Sequence, residues 1–184
     1  IIATVIKTLQ FNFKYRNLKN NLIELGKKYI NHGVNKLAEE INTLAFALSD
    51  KMSAVSWEDK PINIDFYYAK SVLCSIFETM NISGIKYRPL VVNFMQPGQS
   101  AELYTTDNII GYLGKIRPEY AKKYDIPMNV YICKLNLDAL FEESKNNRVP
   151  AYKEFSRFPY TVRDMSLLIS KETVFFEIEK LIKK

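Results

Sequence analysis

The sequence predicts an α+β fold in which an antiparallel sheet is flanked by helices. Two short apolar runs, at residues 101–105 and 109–115, are separated by Asp107 and Asn108, which is the pattern of a β-hairpin. Residues 64–80 carry apolar side chains at i, i+3 and i+4 spacing, which is typical of an amphipathic helix. Because short turns as well as helices join the strands, we expect an antiparallel sheet and not a doubly wound parallel one.

Several elements are expected before this hairpin. In chain order they are a helix over 1–15, strands at 22–26 and 44–48, the helix over 64–80, and a strand-like run at 85–94. Tyr29 and Ile30 extend the first strand, and residues 52–61 are irregular. Asn63 is the expected N-cap of the long helix. Pro89 interrupts the last run and so predicts a sheet edge or a bulge.

The hairpin is preceded by a turn at Pro97-Gly98 and followed by a helix that begins at Pro118. Proline fixes φ and glycine adopts φ values closed to other residues, so the pair Pro97-Gly98 is typical of a turn. Proline at the first helical position costs nothing, because its missing N–H would have no partner there. The remaining elements are a strand at 130–135, a short helix at 138–144, a polar linker at 146–151, a strand at 161–169 and a helix at 174–183.

Composition limits the class of protein without identifying it. At 184 residues the chain is one domain or slightly more, and its net charge is +6. That charge favours a polyanion partner such as RNA, or it reflects a lysine-rich solvated surface; composition leaves both open. Cys74 and Cys133 each lie in an apolar run, as expected for reduced thiols of a cytoplasmic protein. No apolar run is long enough for a membrane span, and the sequence shows no signal peptide. Because it begins Ile-Ile-Ala without an initiator methionine and ends Lys-Lys, we expect it to be a piece of a longer chain.

The usual motifs of catalysis and metal binding are missing from the sequence. His32 is the only histidine and has no cysteines near it, so no zinc site is expected. The residues around Ser100 resemble a nucleophile elbow but lack its second glycine, and residues 111–114 are not a dinucleotide fingerprint. The adjacent glutamates at 39–40 and 142–143 are expected to be solvated and not to form acid–base pairs. From residues alone we therefore predict an α+β domain that is not catalytic by itself.

A set of segments, taken in order, resembles the beta subunits of bacterial phenylalanyl-tRNA synthetase. The segments are Leu25-Gly26 at the end of a strand, PGQSAELY at 97–104, GYLGKIRPEYAKKYDIP at 111–127, VYICKLNLDALF at 130–141 and YKEFSRFPYTVRDMSLLIS at 152–170. The resemblance implies that residues 1–150 form a class II synthetase-like module without catalysis. It implies that residues 151–184 are the first strand and helix of a truncated, ferredoxin-like anticodon-binding domain.

The resemblance also implies where the chemistry is. The parent enzyme attaches phenylalanine to its tRNA with ATP and magnesium, and its beta subunit joins a catalytic alpha subunit in an α2β2 assembly. An active class II site grips ATP with two arginines, whose forked, permanently charged groups suit phosphate. Here those positions fall near Ile30 and Ala139, neither of which can bind phosphate. We therefore expect no catalytic residue, no metal and no cofactor in this chain.

Three hypotheses about function follow from the residues and the resemblance. The first hypothesis is association with the alpha subunit, for which the apolar face of residues 1–13 is either an interface or intramolecular core. The second is an active ligase, and the third is tRNA binding through Lys153, Arg157 and Arg163. For the two arginines, surface or interdomain pairing is the alternative.

The chain departs from the family pattern at several polar positions. Gln96, Gln99 and Arg117 stand where the family often has histidine or arginine, and Val162-Arg163-Asp164 stands where it has paired arginines before aspartate.

Overall fold

The computed structural model describes residues 1–34, 36–49, 64–106, 108–146, 154, 157–170, 173 and 175–182. It divides into two compact units, residues 1–150 and residues 151–184. The boundary coincides with the expected one, while the identity of each unit remains a prediction. The expectations for residues 52–61, for Asn63 and for most of the linker lie outside the described residues.

The described part of the first unit consists of six strands and four helices. The helices are α1 (Ile2–Lys14), α2 (Phe66–Thr79), α3 (Pro118–Lys123) and α4 (Leu137–Asn146). The strands are β1 (Asn21–Ile30), β2 (Glu39–Ser49), β3 (Lys86–Pro89), β4 (Met95–Tyr104), β5 (Ile109–Ile116) and β6 (Val130–Asn136). Every helix and strand predicted before residue 145 is present, and the boundaries of most differ from prediction by a few residues.

The six strands form one sheet in the order β1-β2-β6-β5-β4-β3, and every neighbouring pair is antiparallel. The predicted antiparallel α+β architecture is therefore confirmed. β1 and β3 are the two edge strands, and Pro89 is the last residue of β3. Proline has no N–H to donate to a neighbouring strand, so it is confined to such edges, as the sequence predicts.

Helices cover parts of both sheet faces, and a separate apolar cluster lies under each group. α2 and α4 pack on the face that carries Phe46, Leu113 and Leu135. α1 and α3 pack on the opposite face, against Ala47 and Ile132. The side chains that alternate along each strand thus bury in two directions, which is why the central strand β6 is apolar almost throughout.

The Pro97-Gly98 pair is a bulge and not the predicted turn before a strand. β4 begins at Met95, and between the pairs Met95–Ile116 and Ser100–Gly114 four residues of β4 oppose Lys115 alone. Gly98 has φ of +77°, which glycine adopts without strain. Local sequence identified the backbone chemistry correctly, but only strand pairing determines whether such a pair turns the chain or bends a strand.

Asp65 caps the long helix, which begins at Phe66. Its side-chain oxygen accepts a hydrogen bond from the Tyr68 backbone N–H at 2.7 Å, and its backbone is extended. This satisfies one of the N–H groups that a helix start leaves without an intrahelical partner. The expected helix start was thus about two residues early.

In the second unit only the helix prediction is confirmed. α5 (Phe175–Ile182) is present, whereas residues 161–169 form no strand. The prediction of a strand there was wrong because an alternating pattern becomes a strand only when a neighbouring strand pairs with it. Several large apolar side chains of this segment are exposed, among them Phe158, Tyr160, Leu168 and Ile169.

Candidate functional site

The three residues predicted to contact tRNA lie in the second unit. The Arg157 guanidinium pairs with the Glu154 carboxylate at 2.7 Å, so the predicted surface pairing of this arginine is present. Arg163 is exposed, and Lys153 lies outside the described residues. Both described arginines are on the surface, and a tRNA-binding role for the three residues stays a prediction.

The polar residues for which the sequence predicts no catalytic role have hydrogen-bond or ion-pair partners in the structure. His32 lies in a loop and pairs with Glu39 at 2.8 Å. The Ser100 hydroxyl is largely buried and donates to the Leu90 carbonyl oxygen at 2.5 Å. Glu143 is partly buried and accepts from the Thr105 hydroxyl at 2.7 Å, so it is less solvated than expected. No group of three or more histidine, cysteine or acidic side chains that could hold a metal occurs among the described residues.

The positions matched to the ATP-binding arginines of class II enzymes lie on different elements, β1 and α4. Ile30 is the last residue of β1, opposite Glu39. Ala139 lies in the first turn of α4, where it packs against the core between α2, α4 and the sheet. Its N–H donates to the Asn136 side-chain oxygen at 3.2 Å, so this asparagine caps α4.

The part of the α1-side sheet face that α1 and α3 leave open carries polar side chains, and we call it the open face. One row of opposed residues crosses the sheet through Glu24, Ala45, Lys134, Tyr112, Glu102 and Arg88. Beside this row is a depression of about 180 Å³. It is lined by Lys28, Ile41, Thr43, Ile109, Ile110, Gly111, Tyr112, Lys134 and Asn136. Ile30 and Ala139 do not line it.

Electrostatics in this depression is dominated by two lysines. Partial burial and the charge of Lys28 both lower the pKa of the Lys134 ammonium. Among the described residues neither Lys28 nor Lys134 has an ion-pair partner. Glu102 pairs with Arg88, and Glu40 pairs with Lys27 on the other face of the sheet. Burial raises the pKa of Tyr112 to about 12, so this phenol is neutral at physiological pH. The open face therefore carries positive charge at its centre.

The depression does not fit ATP with magnesium. Pockets that enclose drug-sized ligands have roughly 300–1,000 Å³, more than this one provides. Its cations are point-charge ammonium groups and not the forked guanidinium groups of class II sites. No aspartate or glutamate is among the residues that line the depression, so it offers no carboxylate to Mg²⁺.

A second surface, at the β1 end of the sheet, is apolar and exposed. Ile23, Leu25 and Tyr29 lie along β1 on the face opposite α1, with Lys27 between the last two, and they are 67%, 68% and 61% exposed. The outer edge of β1 has no strand beside it among the described residues. We call these three side chains the β1 stripe.

α1 contributes to the core and to the surface with different residues. The apolar face predicted from residues 1–13 is intramolecular: Val5, Ile6, Leu9 and Phe13 are buried. Phe11 and Tyr15 lie on the outer side, 60% and 62% exposed, with ring centroids 4.7 Å apart. The interface alternative for the buried face was therefore wrong.

Sequence reasoning missed the two lysines, Tyr112 and the β1 stripe. The stripe had a signal, because Ile23 and Leu25 alternate with Glu24 in a predicted strand. The lysines had none, since they lie on strands separated by β2 and come together only through pairing. Gln96 and Gln99, which depart from the family pattern, lie in the bulge with buried side-chain oxygens that have no partner among the described residues. The Arg117 guanidinium donates to the Met95 carbonyl oxygen at 2.8 Å.

Comparisons with known proteins agree on one family. The family described as phenylalanyl tRNA synthetase beta chain CLM domain matches residues 1–137. The phenylalanine–tRNA ligase beta subunit of Streptococcus pneumoniae is 30% identical over 180 residues, which is 97% of this chain. That of Clostridium tetani is 33% identical over 184 residues, 99% of this chain. The chain spans 22% of the length of each of these relatives.

Two solved structures share the fold. Two structures of pyrrolysyl-tRNA synthetase from Desulfitobacterium hafniense superpose with TM-scores of 0.53 and 0.54. Each covers 76% of this chain and a little under half of the other chain, at 11% and 12% identity. At that identity the likeness shows only that the sheet and its helices share the fold of the matched part of these two structures. No helix among the described residues is long and apolar enough to cross a membrane.

Proposed function

Because the chain belongs to the phenylalanyl tRNA synthetase beta chain CLM domain family, we propose that it is the part of a phenylalanine–tRNA ligase beta subunit that associates with the alpha subunit. The parent enzyme attaches phenylalanine to its tRNA with ATP in the cytoplasm, as an α2β2 assembly. This module is structural in that assembly, and the alpha subunit carries the active site.

The observation that carries this proposal is the β1 stripe. Exposing three large apolar side chains to water on one face of an edge strand costs free energy, about 25 cal/mol per Å² of apolar surface. Monomeric proteins seldom leave such a group uncovered without a partner. An edge strand also offers backbone N–H and C=O groups to a second chain. Phe11 and Tyr15 of α1 are also exposed, but they lie on the other side of the sheet and are not part of the β1 stripe.

Co-purification of Leu25→Lys with the alpha subunit tests this surface. A lysine in the middle of the β1 stripe places a charge in the interface, and we expect association to weaken at least about tenfold, as for an interface hot spot. Val91→Lys is the matched control, because Val91 is also exposed and follows β3 at the opposite edge of the sheet. Equal association of both variants would exclude the β1 stripe. Failure of the unaltered chain to associate would exclude the assembly function.

ATP and Mg²⁺ belong, in this proposal, to the alpha subunit. The open face supports this because it offers a small depression with two lysines in place of the paired arginines of an active site. Phenylalanine-dependent ATP–pyrophosphate exchange by the isolated chain should be absent and should arise only with the alpha subunit. Exchange by the isolated chain would make it an active ligase.

The first unit is, in this proposal, a class II synthetase module, and the second unit starts a ferredoxin-like anticodon-binding domain. The exposed apolar residues 158–169 support the second assignment, because further strands of such a domain would pair with this segment and bury it. A longer chain that includes the segment following residue 184 should protect the amides of 161–169 from hydrogen exchange. Equal exchange in the longer and shorter chains would count against the assignment.

tRNA binding through Lys153, Arg157 and Arg163 is the second candidate function. The exposed position of Arg163 favours it, whereas the pairing of Arg157 with Glu154 weakens it. We expect weak binding whose affinity falls steeply with added salt, because phosphate contacts release counterions. Affinity that does not change with salt would exclude this role.

A further inference from the structure

The geometry of the open face points to a binding site for one phosphate-type tetrahedral anion, in the depression between Lys28 of β1 and Lys134 of β6. This inference does not depend on association with the alpha subunit. It concerns Lys28 and Lys134, which are not the positions matched to the ATP-binding arginines of class II enzymes.

Charge is the first reason. Both lysines line the same depression, and among the described residues neither has an ion-pair partner. The two ammonium groups repel each other, and Lys134 is also half-buried, so the pair is unfavourable when nothing negative lies between them. An anion bound there replaces this repulsion by two charge-assisted hydrogen bonds.

Size is the second reason. A depression of about 180 Å³ is smaller than the pockets that enclose drug-sized ligands, but it has room for a phosphoryl group. Ile41 and Ile109 form apolar walls that lower the local dielectric constant and strengthen each charged contact. Gly111 has no side chain, so the floor of the depression at that point is backbone.

Donor geometry favours phosphate over carboxylate. A carboxylate is planar and is best matched by the planar fork of arginine, whereas lysines bind phosphate as separate point charges. Here two ammonium groups reach the depression from different strands, β1 and β6. The Asn136 side-chain oxygen is held by the Ala139 N–H, which leaves its NH₂ group as the end that donates. A tetrahedral anion accepts from all three directions.

Titration of the 184-residue chain with inorganic phosphate, followed by the backbone amide resonances of Tyr112 and Lys134, tests the site. We expect saturable shifts with phosphate and none with the same ionic strength of chloride or with acetate. Lys28→Met and Lys134→Met should each weaken phosphate binding about tenfold, the loss of one charged hydrogen bond. Lys123→Met, an exposed lysine of α3 outside the depression, should bind like the unaltered chain.

A parallel titration with adenosine monophosphate tells whether the site binds the phosphate of a nucleotide or free phosphate. Tighter binding of adenosine monophosphate than of phosphate would assign the site to a nucleotide phosphate, and equal or weaker binding would assign it to the free anion. Either result with the lysine dependence supports the site. Shifts that chloride or acetate reproduces, or that survive in both Lys28→Met and Lys134→Met, would overturn it.

Discussion

Replacement of Gly111 by alanine should destabilise the protein far more than replacement of another strand glycine, Gly26. A Cβ atom at Gly111 would lie 2.0 Å from the carbonyl oxygen of Lys134 and 3.0 Å from the Leu135 Cα atom. Both contacts are to the backbone of β6, which cannot rotate away. β5 and β6 would therefore have to separate at the centre of the sheet.

The magnitude follows from the hydrogen bonds that separation breaks. Leaving two buried backbone groups without partners costs about 1–3 kcal/mol each. Replacing a strand glycine by alanine otherwise gains roughly 0.5–1 kcal/mol, because the unfolded chain has less freedom to lose. The net expected loss for Gly111→Ala is about 1–5.5 kcal/mol, a large part of the roughly 5–15 kcal/mol that stabilises a typical domain.

Gly26→Ala is the matched control in β1. Its Cβ atom would meet only the Ile1 side chain, with the terminal Cδ1 atom at 3.1 Å, and a flexible side chain can move. We expect an effect within about 1 kcal/mol for this variant. Urea unfolding followed by circular dichroism measures both variants, with the shift in midpoint compared at equal slope. Equal midpoints for Gly111→Ala and Gly26→Ala would refute the steric reasoning.

Three further predictions concern capping, ionisation and thiol reactivity. Asp65→Ala removes the cap of α2 and should cost about 1 kcal/mol of unfolding free energy in urea. Because burial raises the pKa of Tyr112 from 10.0 to about 12, the unfolded state loses its proton first. Stability should therefore be unaffected by this group below pH 10 and fall as pH rises towards 12, and Tyr112→Phe should reduce that fall. Burial also raises the pKa of the Cys133 thiol, so iodoacetamide should modify Cys74 in the native protein and Cys133 only after unfolding; native modification of Cys133 would contradict its burial.

Much of the fold follows from local patterns because local physics decides it. The helical spacing of Val5, Leu9 and Phe13 defines a face that must be buried, and α1 buries it. The hairpin of β4 and β5 depends on a short turn between two apolar runs, and the start of α3 depends on Pro118. The absence of a catalytic motif could be read in the same way, from residue types alone.

Where local signals were ambiguous, pairing decided. Pro97 and Gly98 indicated an unusual backbone, but only the register of β4 against β5 makes them a bulge within a strand. Residues 161–169 alternate as a strand would, yet a strand forms only when its backbone is hydrogen-bonded to a neighbouring strand. Among the described residues, no strand pairs with this segment.

By itself the sequence determined the α+β class, the order of most elements, and the resemblance to the family to which the chain belongs, because periodicity, turn chemistry and ordered motifs are local. Only the tertiary structure decided which surfaces are free for a ligand or a partner. Lys28 and Lys134 share a depression because β1 and β6 pair with opposite sides of β2. Ile23 and Leu25 are exposed because β1 is an edge strand and α1 covers only its other face. Contacts between residues far apart in the chain depend on the whole sheet, and no local pattern encodes them.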